Sequence, residues 1–152
     1  KYHISSQYIT LEILESLVLE HMDQVNACIA RLRDAGFRIS MDDFGSGYSS
    51  LNTLGRLKID ELKLDRLFLM GAAKDTDGTQ RKIMACILDL AKQLNISTVA
   101  EGVETQENEQ MLAQLSCNYG QGYYYSQPLT AVDFERDFLV PYSEHLACAH
   151  AP

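Results

Sequence analysis

The stretch that decides the fold runs Phe37-Arg38-Ile39-Ser40-Met41-Asp42-Asp43-Phe44-Gly45-Ser46-Gly47-Tyr48-Ser49-Ser50-Leu51. A short apolar run over residues 37–41 reads as a strand. It stops at two adjacent aspartates. Two glycines and three serines then fill residues 44–50, which read as a loop, and residues 51–57 suit only a short helix. A strand, a polar loop and a helix in that order make one β/α unit.

The units repeat in both directions. Upstream, residues 8–14 read as a strand. A helix is expected over residues 22–35, with Val25, Cys28, Ile29 and Leu32 at helical spacing and Gly36 closing it. Downstream, residues 61–64 form a third strand and residues 68–78 a connection of small and polar residues. Thr79 is expected to cap a long helix to residue 94, with Ile83, Ile87, Leu90 and Leu94 on one stripe and Met84, Leu88 and Ala91 widening it. So broad an apolar surface needs two neighbours, the sheet and a second subunit or further part of the barrel. Residues 97–100 are a fourth strand, Thr105 caps a helix bearing Met111, Leu112 and Leu115, and residues 119–121 are a short fifth strand. Thr130 and Asp133 resemble a capping box for a last helix to residue 139, which Pro141 ends. Five such units define an α/β fold, either an open sheet or part of a (β/α) barrel. A whole barrel needs about 250 residues, so 152 residues supply a little over half of one.

Charge narrows the partners. The chain carries 13 basic and 21 acidic residues, a net charge of -8, which leaves no basic face for a DNA or RNA polymer. The four cysteines, Cys28, Cys86, Cys117 and Cys148, include no C-x-x-C pair, so neither a zinc site nor a disulfide framework is expected. Cys28 and Cys86 read as small core residues, and a reducing cytoplasmic setting fits. No run of 18 apolar residues occurs, and the opening residues lack the apolar segment of a signal peptide. The chain also starts without methionine and is read as a piece of a longer protein.

Polar groups collect where α/β folds place function, at the carboxyl ends of strands. They are Glu12, the pair Asp42 and Asp43, Lys63 with Asp65, Glu101, and Gln121. Clustered carboxylates repel one another unless a cation joins them. An oxygen-only set favours Mg²⁺ or Mn²⁺ over Zn²⁺. Adjacent aspartates at a turning strand end can each reach one of two neighbouring ions, the arrangement that activates water for phosphodiester cleavage. Lys63 has two readings, an anchor for water or phosphate and an ordinary salt bridge to Asp65 or another acid. The glycines of the loop permit positive φ and close backbone approach.

Five segments in order resemble the EAL domain family. Residues 42–51 resemble its DDFGTGYSSL motif, and Leu62-Lys63-Leu64-Asp65-Arg66 its LKIDR segment. Ala100-Glu101-Gly102-Val103-Glu104-Thr105 matches AEGVET. Tyr119-Gly120-Gln121-Gly122-Tyr123, followed by Ser126-Gln127-Pro128-Leu129, is similar to YxQGYxxSRPL. Leu11-Glu12-Ile13-Leu14-Glu15-Ser16 aligns with LELTES. The resemblance implies the C-terminal portion of an EAL barrel, a modified TIM-type barrel, over residues 1–140 with a tail at 141–152. It implies hydrolysis of cyclic di-GMP to linear pGpG with two Mg²⁺ or Mn²⁺ ions. By resemblance Glu12 and Asp42 bind the first metal, Asp42 bridges to the second, and Asp43 binds the second. Lys63 holds the catalytic water, Glu101 serves the metal or its water, and Glu15 steadies the loop after Asp43. Gln121, Glu104, Phe44, Gly45, Asp65 and Pro128 support the site or the substrate. Leu14, Ser46 and Gln127 stand where the family usually has threonine, threonine and arginine.

The family's Glu-Ala-Leu motif and a metal-binding asparagine lie on earlier strands and have no counterpart here. The chain alone is therefore expected to be inactive, with exposed strand edges, and its parent to be a complete domain. That parent is expected to act as a homodimer through helices near the Asp-pair loop, joined to sensory or GGDEF domains, with a tether to the inner membrane left open. A degenerate cyclic di-GMP receptor and an enolase-like metal enzyme are the alternatives. Tyr123, Tyr124 and Tyr125 are expected to pack beneath the last helix, with guanine stacking as the other reading.

Overall fold

The computed structural model describes residues 3–45, 51–73 and 75–140. The serines and glycine of the loop at 46–50, and the tail with Pro141, lie outside the described residues. Five parallel strands form one sheet in the order β1-β2-β3-β4-β5: β1 is Thr10–Leu14, β2 Arg38–Phe44, β3 Glu61–Leu64, β4 Ser97–Glu101 and β5 Tyr119–Gln121. Between them run α1 (Glu15–Asp34), α2 (Leu51–Arg56), α3 (Leu67–Ala73), α4 (Thr79–Gln93) and α5 (Gln106–Gln114); α6 (Ala131–Phe134) follows β5 and continues as a π-helical segment, Glu135–Leu139. Each strand is hydrogen-bonded to the next in sequence, so the sheet has no reversal point of the doubly wound kind. This is the winding of a barrel segment.

The two faces of the sheet differ because side chains alternate along each strand. On β3, Leu62 and Leu64 are fully buried and alternate with Glu61 and Lys63. Ile39 and Met41 of β2 join the same apolar core, with Val18, Val25 and Ile29 of α1 and Met84, Leu88 and Ala91 of α4. The opposite face carries Glu12, Ser40, Lys63 and Glu101.

Several elements extend beyond the sequence reading. A 3-10 turn at Ser6–Tyr8 precedes β1, so the strand starts at Thr10 and not at residue 8. Helix α1 begins at Glu15, directly after β1, and kinks at His21 (φ -138°, ψ 41°) before its predicted part. Gly36 takes φ +88° just past its end, as expected of a closing glycine. The connection at 68–78 contains α3, whose apolar residues had been hidden among small ones. Thr79 is the first residue of α4 and not its cap. Its backbone N–H donates to Asp75 Oδ1 (3.1 Å) and Asp77 Oδ1 (3.0 Å), and Arg81 N–H donates to Asp75 Oδ2 (3.1 Å). Carboxylates therefore satisfy the helix start. The Thr105 cap is as expected and forms a reciprocal box with Asn108. Cys28 and Cys86 are exposed, because Val25, Ile29, Ile87 and Leu88 occupy the buried stripes beside them. Tyr123, Tyr124 and Tyr125 are also exposed, at 64%, 42% and 48%. Tyr124 and Tyr125 meet edge to face, and they do not pack beneath the last helix.

The foot of the sheet is tied by Asp60. Its Oδ2 accepts the Ile39 N–H (2.8 Å) and its Oδ1 accepts Arg33 Nη1 (2.5 Å). Its carbonyl accepts Ser97 N–H (3.1 Å) and Ser97 Oγ (2.9 Å). One residue thus joins α1, β2 and β4 at the end remote from the acidic cluster. Asp60→Ala leaves the Ile39 N–H without its acceptor, and a buried unsatisfied donor costs about 1–3 kcal/mol. Urea unfolding of this variant is expected to lose that amount of stability, whereas a midpoint equal to the native one would show that the tie contributes nothing.

Candidate metal centre

Lys63 lies at the middle of the polar face and is 7% exposed. Its Nζ is 3.0 Å from Glu12 Oε1, 2.9 Å from Asp42 Oδ1 and 2.7 Å from Glu101 Oε1. The three acids come from β1, β2 and β4. Flat strands β1 and β4 would stand about 14 Å apart at ordinary strand spacing. Glutamates on both nevertheless meet one nitrogen, that of Lys63 on β3 between them. Burial alone lowers the Lys63 pKa. The hydrogen bonds to Asp42, Glu101 and Glu12 and the Glu101 charge outweigh it, so the group is raised above the ordinary lysine value. In these surroundings Lys63 is an ammonium and not a general base. The salt-bridge reading of this residue holds in the structure, but with these three acids and not with Asp65.

Asp42 and Asp43 would point to opposite faces in a regular strand. The chain avoids this by a local break. Strand β2 continues through both aspartates to Phe44, beyond the predicted end at Met41, and its register on β3 shifts between Met41 and Phe44. Asp43 takes φ +56°, a left-handed conformation that aspartate tolerates better than most residues. The result is that one oxygen each of Asp42, Asp43 and Glu101 lie within 4.8 Å of one another. This all-oxygen donor set suits a hard divalent cation.

The next turn is fixed from below. Gly45 has φ +94°, and a Cβ there would stand 2.1 Å from Phe68 Cε2. Its N–H donates to Glu15 Oε2 at 3.3 Å, and Glu15 is 4% exposed. Phe44 is buried at 1%. Glu15, Phe44 and Gly45 therefore hold the backbone that follows the aspartate pair. Gln121 of β5 is the register partner of Glu101, which puts it on the same face. The other proposed supporting residues make contacts of their own. Asp65 Oδ1 accepts the Leu67 N–H (2.7 Å) at the start of α3. Glu104 lines a groove with Arg66, Met70 and Asn108. Pro128 lines another with Phe134 and Phe138.

Ser40 was not singled out from the sequence. It stands two residues before Asp42 on the same face, opposite Glu12 in register, fully buried, and its Oγ has no hydrogen-bond partner among the described residues. The polar alternation Arg38, Ser40, Asp42 was the available signal.

The singly wound parallel sheet is that of an α/β barrel segment, and its strand ends carry an acid cluster. The sequence profile of the EAL domain matches residues 1–128. The cyclic di-GMP phosphodiesterase NbdA of Pseudomonas aeruginosa is 39% identical over 141 residues, 91% of this chain and 17% of that protein. The solved PaMucR phosphodiesterase in complex with c-di-GMP superposes with a TM-score of 0.79 at 38% identity, covering 86% of this chain and 52% of that one. Klebsiella pneumoniae BlrP1, solved with manganese and cyclic di-GMP, gives 0.76 at 33% identity over 82% of this chain and 31% of its own. The chain belongs to the EAL domain family and spans only about a sixth of NbdA and about half of the PaMucR chain.

Gly45→Ala tests the support beneath the site. Strain at positive φ and the collision with Phe68 are expected to cost about 1–3 kcal/mol, read as a lower thermal midpoint. An unchanged midpoint would mean that the turn relaxes freely.

Proposed function

We propose that the whole protein hydrolyses cyclic di-GMP to linear pGpG with two Mg²⁺ or Mn²⁺ ions, and that residues 1–140 are the C-terminal part of its catalytic barrel, followed by a tail. The observation that carries this reading is the charge balance of the cluster. Taken as ionised, Glu12, Asp42, Asp43 and Glu101 bring four negative charges against the one positive charge of Lys63. Three negative charges remain. One divalent ion leaves the site anionic and hostile to a phosphodiester, whereas two make it cationic and attractive to one. That favours the two-metal reading over an enolase-like site.

When bound there, the ions supply an acidified water and stabilise the departing oxygen. The chain's own residues do the rest. Asp42, placed between Lys63 and Asp43, is suited to bridge the two ions, with Glu12 and Asp43 on either side. Glu101 is suited to bind an ion or accept a proton from the water. Lys63, held as an ammonium, positions water and balances charge on the phosphate oxygens. Glu15 fixes the turn at Gly45, and Gln121 supports the site from β5. Glu104, Asp65 and Pro128 act from the rim. The upstream part of the barrel supplies the remaining ligands, so this chain alone is inactive. Cyclic di-GMP is the small anionic partner, and sensory or GGDEF domains are joined in the whole protein. Among the described residues no helix is long and apolar enough to cross a membrane. The catalytic part works in the cytoplasm, with any membrane tether lying elsewhere in the whole protein.

A homodimer is proposed along α4. Ile83 is 43% exposed, and with Cys86, Ile87 and Leu90 it lines an apolar groove of about 440 Å³ against Phe44 and Phe68. That groove abuts the strand carrying the aspartates. Ile83→Asp is expected to shift sedimentation of the whole protein toward monomer, and an unchanged dimer fraction would move the interface elsewhere.

The direct test is turnover by the whole protein with Mg²⁺ or Mn²⁺, followed by chromatography of nucleotides. Production of pGpG is expected, with a loss of about 10²-fold or more in Asp43→Asn, since removing a group that stabilises the transition state costs about that much. Tight cyclic di-GMP binding without pGpG would select a receptor instead.

A further inference from the structure

We infer that Lys63 is a built-in counter-cation that competes with the metal for Asp42 and Glu101, keeping the acid cluster assembled before metal enters and holding the metal's affinity down. The inference rests on the metal reading above and adds to it a coupling between one side chain and ion uptake. Two observations carry it. The carboxylates within 4.8 Å of one another are Asp42, Asp43 and Glu101. Two of these three, Asp42 and Glu101, are also the acids closest to the Lys63 Nζ, at 2.9 and 2.7 Å. The same two carboxylates therefore serve both cations. Glu12 completes the lysine's shell at 3.0 Å, and its side chain is 52% exposed, so it is the arm with most freedom to swing.

The consequence follows from linkage. If an ion weakens the lysine's hold on shared carboxylates, the lysine weakens the ion's hold to the same degree. A lysine that is 7% exposed cannot withdraw into water without rearrangement, so its charge stays near the ion and opposes it. Without that charge the acids repel one another, and the cluster needs the ion in order to assemble. Lys63 thereby trades tight binding for a preformed site with exchangeable metal.

The experiment uses the whole protein and Mn²⁺ alone, with no nucleotide. Binding is read by calorimetry, and thermal unfolding is measured with chelator and with Mn²⁺. Lys63→Met is expected to bind Mn²⁺ at least about tenfold more tightly, as removal of a unit charge within about 5 Å of a divalent ion requires. It is also expected to unfold at a lower temperature in chelator and to gain more from Mn²⁺ than the native chain does. Lys63→Arg keeps the charge and is expected to bind within about threefold of native. Equal or weaker Mn²⁺ binding by Lys63→Met overturns the inference while leaving the metal reading intact. Absence of Mn²⁺ binding by the native whole protein overturns both. Acetylation of Lys63 by acetic anhydride, followed by peptide mass spectrometry, is read on the native chain whether or not the variant folds. Mn²⁺ is expected to speed it several-fold by drawing Asp42 and Glu101 away, and an unchanged rate overturns the inference.

Discussion

Mutual repulsion of acids is the constraint around which this structure is built. At an effective dielectric constant of about 20, two carboxylates about 5 Å apart repel by about 3 kcal/mol. The oxygens of Asp42, Asp43 and Glu101 are that close. Without compensation these residues would splay outward and the upper rim of the sheet would open. The ammonium of Lys63 gathers Glu12, Asp42 and Glu101 from three strands, and so ties β1, β2 and β4 to β3 as well as balancing charge.

The second device is local. Period-two alternation forbids neighbouring residues of a strand from sharing a face, yet the cluster contains two consecutive aspartates. The register shift and the left-handed Asp43 reconcile these demands. Such a conformation costs free energy, and the surroundings must hold it. Glu15 and Phe68 do so from opposite sides of Gly45. The helix of Glu15 starts without a linker after β1, which plants that carboxylate deep enough to reach the turn.

Much of this was legible in the residues. Five apolar runs separated by helical patterns gave the parallel α/β sheet, and strand-end position selected Glu12, Asp42, Lys63 and Glu101 before any family was named. The β/α alternation alone did not choose between barrel and open sheet, since both use it; the family resemblance implied the barrel, and the sequential strand order agrees with it. The Glu15 segment of α1 was missed because it follows β1 without a break, and α3 because its seven residues, Leu67–Ala73, are too few to show a helical period. Cys28 and Cys86 were placed inside because a helical stripe read one residue too wide takes in its margins. Asp60 escaped notice because a single aspartate in a turn announces nothing about the three elements it ties.

That tie at the foot of the sheet shares no group with the acids at the rim: Asp60 holds Arg33, Ile39 and Ser97. Foldability and chemistry are thus written in separate residues of the same strands, as is usual for the two ends of such barrels. Descendants of this domain can lose their ligands one by one and still be inherited as sound scaffolds. Natural selection then has intact, chemically silent copies from which to make new signalling parts.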